Sequence, residues 1–170
     1  GPHPPFDAPI RCRDMFSPED MPLAILEPPA EPISPQVERM LRRRGLPDMT
    51  DSQNRLMISH YYAKIAFDDD VIGQVIQSLK NQRLMDNTWI IYTSDHGDWL
   101  GDHGMMLKGP MFYEGLLRVA MILNGPGVPA GQVCSDPVGN IDLATTLLDF
   151  GGIGSQYTMH GQSLRPLLER

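Results

Sequence analysis

Apolar residues recur at helical spacing between positions 50 and 82. Ile58, Tyr61 or Tyr62, Ile65, Ile72, Val75 or Ile76 and Leu79 fall on one face of a 3.6-residue period. Thr50, three residues before Gln53, fits a capping box, so this long helix starts there and ends near Gln82. Gly73 interrupts it at a cost of about 1 kcal/mol relative to alanine, which points to a close backbone approach. A shorter helix is predicted over Pro35 to Arg44, with Gly45 as its stop. Two runs behave differently: Thr88–Ser94 (TWIIYTS) and Arg118–Gly125 (RVAMILNG) are apolar without clear alternation. That pattern predicts strands buried on both faces, as in a parallel sheet. Ile141–Phe150 reads as a helix with Asn140 or Asp142 at its start and Gly151-Gly152 stopping it. The order helix, strand, loop, strand, helix predicts an α/β fold.

Residues 1–35 stand apart, with ten of the sixteen prolines. Proline fixes φ and lacks a donor, so HPPFDAP and LEPPAEPISP are neither helix nor central strand. Phe6, Met15, Phe16, Leu23, Ile25 and Leu26 supply apolar anchors, so this segment is expected to lie along the surface of the α/β portion, residues 36–170.

A length of 170 residues permits one domain with a sizeable core. The formal charge of -7 and pI near 5.1 argue against nucleic acid as a partner. Arg42, Arg43 and Arg44 are the one dense basic patch, and cations suit a helix C-terminus. Cys12 and Cys134 form neither a disulfide framework nor a zinc motif. No apolar stretch approaches the roughly 20 residues of a membrane span. The chain does not begin with Met and reads as an internal segment of a longer protein, which leaves the compartment open.

The candidate chemistry follows the first predicted strand. TSDHGDWLGDHG places three aspartates and two histidines among glycines at the position where α/β sheets bind ligands. Asp95 and His96 can offer a carboxylate oxygen and an imidazole nitrogen to one divalent cation. Carboxylates suit Ca²⁺, Mg²⁺ or Mn²⁺, and imidazole moves the preference toward Mn²⁺ or Zn²⁺. Further ligands must then come from elsewhere. The alternative is structural: Asp95 capping a helix and His96 bonded to local backbone. Asp102 and His103 repeat the pair and read as holding the glycine-rich loop through backbone hydrogen bonds. Lys108 beside a metal would neutralise an oxyanion, or is an ordinary surface lysine. His3, clamped in PHPPF, could contact an anion or protonate a leaving group, or face solvent in a tail.

Taken in order, these motifs resemble the sulfatases of the alkaline phosphatase superfamily. PHPPFDAP, YYAKIAFDDDVIGQVIQSL, SDHGDWLGDHG, KGPMFYEG with Lys108, Arg118, GPGV, NIDLATTLLDFGGI and HGQSLRPLL carry the likeness. It implies an alkaline-phosphatase-like, mostly parallel sheet flanked by helices. It implies hydrolysis of a small-molecule sulfate ester, with phosphonate monoester or phosphodiester hydrolysis, or an inactive binding fragment, as alternatives. Asp95 and His96 match metal ligands, for Ca²⁺ foremost, with Mn²⁺ or Mg²⁺ also fitting. Lys108 and His3 match residues that touch the sulfate. Asp69 and Gly73 match helix positions read here as packing.

The resemblance also implies what lies elsewhere. A formylglycine nucleophile is expected from a C/S-x-P/A-x-R motif, and neither CRDMF at Cys12 nor CSDPV at Cys134 fits. The chain is therefore expected to be the second half of a sulfatase catalytic domain, without the N-terminal half and the C-terminal subdomain. Strands lacking neighbours invite pairing with a second copy, so a homo-oligomer is a further expected partner state. Ala120 and Thr145 stand where the family usually or often has proline.

Overall fold

The computed structural model describes residues 2–26, 34–44 and 49–169, except the side chains at positions 40, 43 and 44. The predicted stop at Gly45 and most of LEPPAEPISP lie outside the described residues. Six α-helices are described: α1 (Ile10–Arg13), α2 (Pro35–Arg44), α3 (Asp51–Asn81), α4 (Glu114–Leu117), α5 (Asn140–Phe150) and α6 (Arg165–Leu168). Strands β1 (Ile90–Thr93) and β2 (Met121–Asn124) pair as a two-stranded sheet. The α/β class holds, and the elements fall where the apolar pattern places them, with both strands shorter than predicted.

The chain forms two compact units. The first contains residues up to Gln82 together with Thr93–Met121. Its spine is α3. Thr50 Oγ1 accepts from Gln53 N at 3.3 Å while Gln53 Oε1 accepts from Thr50 N at 2.9 Å, the reciprocal cap that the sequence predicts. Asn54, Ile58, Ser59 and Ala63 are its buried residues.

The proline-rich opening is laid along this helix. Phe6 meets Tyr61 edge-on at 5.3 Å, Phe16 meets Tyr62 at 5.7 Å, and Cys12 and Met21 are buried. Arg55 donates to the carbonyls of Glu19 and Met21, fixing backbone that prolines leave without a ladder. Four expected anchors do not serve: Met15, Leu23, Ile25 and Leu26 are all exposed. Ile25 is held by its backbone instead, through Asp102 and His103.

The second half of α3 departs from expectation. Val71 and Val75 are exposed, Asp69 faces solvent, and a Cβ at Gly73 would meet nothing within 4 Å among the described residues. The packing roles read for Asp69 and Gly73 therefore fail within the described residues. Periodicity marks an apolar face without saying how much of it is covered.

The second unit contains Arg83–Tyr92 and residues from Ile122 onward. Trp89 stacks on Phe150 with ring centroids 3.7 Å apart. Thr146 is fully buried: its hydroxyl donates to Asp142 O at 2.7 Å and accepts from Leu164 N at 2.9 Å. Thr145 Oγ1 donates to Gly161 O at 3.0 Å, so this departure from proline adds a tie between α5 and the HGQSL stretch. Tyr92 and Ile122 are exposed, so the strands are not buried on both faces. Only β1 and β2 pair among the described residues, and their outer faces lack cover.

Candidate active-site pocket

The first unit contains a pocket of about 190 Å³ lined by residues from four separate stretches. Pro2, His3 and Pro4 come from the opening segment, Tyr61 from α3, residues 95–98 from the loop after β1, and Leu107 and Lys108 from the far end of that loop. All four residues singled out in the sequence, His3, Asp95, His96 and Lys108, therefore meet in one place.

The metal-ligand candidates are arranged by short-range bonds. His96 Nδ1 lies 2.8 Å from Gly97 O, a group that can only accept, so Nδ1 donates and Nε2 is the nitrogen left to face a cation. Nε2 stands 3.6 Å from Asp95 Oδ2. A backbone carbonyl fixing the tautomer of a ligating histidine is the usual support for such a ligand. Asp95 Oδ1 accepts from His96 N at 3.0 Å. Burial opposes the charge on Asp95, but the neighbouring His96 charge and N–H outweigh it, and the carboxyl is held below its ordinary value. The exposed Asp95 carboxylate and His96 Nε2 stand side by side, so with the imidazole neutral the two fit as adjacent donors to one cation. Among the described residues no group of three or more His, Cys, Asp or Glu side chains gathers to complete a metal shell.

Glycine is required where backbones touch. A Cβ at Gly97 would stand 2.0 Å from Gly115 O, and Gly97 N donates to Leu116 O at 2.9 Å. This seats the Asp95–His96 pair against α4.

Beyond the pair the loop closes on itself. Trp99 N donates to Leu107 O at 3.2 Å and Gly101 N to Met105 O at 2.9 Å. Trp99 and Met105, each 1% exposed, drive the loop into a core with Leu116. Asp102 Oδ1 accepts from Ile25 N at 2.7 Å, His103 N donates to Ile25 O at 2.6 Å, and the His103 ring stacks on Tyr113. Asp102 and His103 thus hold the loop, as expected, with the opening segment as their partner. Neither lines the pocket.

Two lining residues carry no signal in the sequence reading: Tyr61 and Asp98. Tyr61 follows the helical period of a core residue, and its place in the pocket depends on Phe6 packing against it. Asp98 is half-buried; burial pushes its carboxyl above the ordinary value, while the N–H groups of Leu100 and Leu107 and the charges of His96 and Lys108 pull the other way. Its position two residues after His96 was the available hint. Cys12 and Cys134 are absent from the pocket lining.

The fold and pocket place the chain among α/β proteins of alkaline-phosphatase-like architecture. It belongs to the Sulfatase family, whose model matches residues 1–153. Choline-sulfatase of Rhizobium meliloti (strain 1021) is 36% identical over 124 residues, 71% of this chain and 24% of that protein. The phosphonate monoester hydrolase of Agrobacterium radiobacter superposes with a TM-score of 0.89 at 32% identity, covering 99% of this chain and 36% of that one. A third structure, solved in complex with its substrate D-glucosamine-2-N,6-O-disulfate, gives a TM-score of 0.66 at 31% identity over 79% of this chain and 27% of that one. The chain thus spans about a quarter to a third of the length of these relatives. No described helix is long and apolar enough to cross a membrane.

Proposed function

We propose that the protein to which this chain contributes is a metal-dependent hydrolase of sulfate monoesters. The observation that carries this is the convergence of His3, Asp95, His96 and Lys108 on one pocket in a member of the Sulfatase family. Lys108 and His3 would bind the sulfuryl oxygens and neutralise charge that grows on them, and either could hand a proton to the leaving alcohol. Asp95 and His96 would hold part of a divalent cation site, Ca²⁺ by resemblance, with Mn²⁺ or Mg²⁺ as alternatives. When bound, such a cation supplies Lewis-acid polarisation of the ester oxygens. The nucleophile, a formylglycine by resemblance, would come from outside these 170 residues.

A second reading, phosphonate monoester hydrolysis, is favoured by the TM-score of 0.89 to a phosphonate monoester hydrolase across 99% of the chain. Sulfuryl and phosphonyl groups present similar oxygens to the same lysine and histidine. The test is kcat/KM of the full-length protein for 4-nitrophenyl sulfate and for a 4-nitrophenyl phosphonate monoester. Turnover of the sulfate, lowered about 10²-fold by Lys108→Ala, supports the first reading. Preference for the phosphonate selects the second. Turnover of neither ester removes both.

A further inference from the structure

Asp98 sits at the neck of the loop that separates the Asp95–His96 pair from Lys108. Its Oδ1 accepts from Leu100 N and from Leu107 N, both at 3.0 Å. The same neck is closed from the other side, where Leu107 O accepts from Trp99 N at 3.2 Å. Both backbone polar groups of Leu107 are therefore tied to residues 98 and 99. Leu107 pays for this with φ of +65°, the left-handed region that a γ-branched side chain rarely adopts. Such a conformation persists only where the surroundings impose it. The residue after this strained link is Lys108, which enters the pocket that Asp98 also lines.

We propose that Asp98 is the positioning residue for Lys108. By holding Leu107 left-handed, its carboxylate turns the chain so that the lysine faces the Asp95–His96 pair. The claim rests on the functional reading above only for its kinetic consequence; the placement of Lys108 is a separate property.

The experiment uses the full-length protein with Asp98→Ala, Asp98→Asn, Lys108→Ala and the Asp98→Ala/Lys108→Ala pair. Asp98→Ala should lower kcat/KM for the turned-over ester about 10-fold or more, yet change it less than about 3-fold in the Lys108→Ala background, because one acts through the other. Asp98→Asn keeps an acceptor oxygen and should recover most of the loss. Limited trypsinolysis gives a readout without turnover, since trypsin cuts after Lys108. Asp98→Ala should speed cleavage at Lys108–Gly109 about 10-fold relative to cleavage at Lys64 in α3, as the released loop opens locally. Additive kinetic losses, or cleavage that rises equally at Lys64 and Lys108, would make Asp98 an ordinary structural residue and overturn the assignment. If the wild type hydrolyses neither ester, the functional reading falls while the cleavage ratio still decides the positioning.

Discussion

A methyl group at position 97 would stand 2.0 Å from a backbone oxygen, so the loop that carries the candidate metal ligands tolerates only glycine there. Gly97→Ala must push α4 away and is expected to cost about 1–3 kcal/mol, read as a lower urea midpoint. A variant that melts like the wild type would show that the contact with Gly115 is not rigid. At this scale Asp95 and His96 were legible as candidates because acids and imidazoles cluster within one loop after a strand, while Lys108 stood level with an ordinary surface lysine until the resemblance singled it out. His3 was legible only through the resemblance, since a histidine between prolines carries no signal of its own. Tyr61 and Asp98 were not legible. Tyr61 owes its place to Phe6, far away in sequence, and Asp98 acts through a bond to Leu107 across the closed loop.

The elements were read from period and caps, and caps make local claims that can be measured. Thr50→Ala removes the acceptor for Gln53 N and should cost about 1 kcal/mol of stability in denaturant unfolding. α5 begins with a different device. Asp142 takes Gln162 N on one oxygen and Gly139 N on the other, each at 2.9 Å. These bonds favour the ionised carboxyl and hold it below its ordinary value. Its folded value is thus below its unfolded value, about 3.9. The stabilisation is full above that pH and is lost as pH falls through the folded value. Asp142→Asn should therefore narrow the gap between unfolding midpoints at pH 5 and pH 2.5; an unchanged gap would show that Asp142 is not a source of acid sensitivity. The element reading failed in the second half of α3 and on the strand faces. An apolar stripe records what a residue could bury, while its burial depends on neighbours that the stripe does not contain.

At the scale of the molecule, the chain belongs to the Sulfatase family, and the proposed function takes its nucleophile from outside these residues. Cys12 is 2% exposed, Cys134 is exposed, and neither lines the pocket. The 170-residue chain by itself is expected to show no turnover of sulfate or phosphonate esters in a chromogenic assay. Clear turnover from it would overturn the placing of the nucleophile elsewhere in the protein.

The sequence by itself determined the α/β class, the long capped helix, the family and the short list of acids, imidazoles and ammonium that could do chemistry. The helix and the candidate groups are properties of local spacing and residue type, read within one loop or one helix, while the fold class and the family rest on the order of elements and motifs along the chain. Only the tertiary structure decided that His3 reaches the Asp95–His96 pair, that Asp102 and His103 turn away to hold Ile25, and that a strained Leu107 stands between Asp98 and Lys108. Those facts depend on contacts between segments far apart along the chain. Packing selects such contacts by shape and hydrogen-bond geometry, which no local pattern encodes.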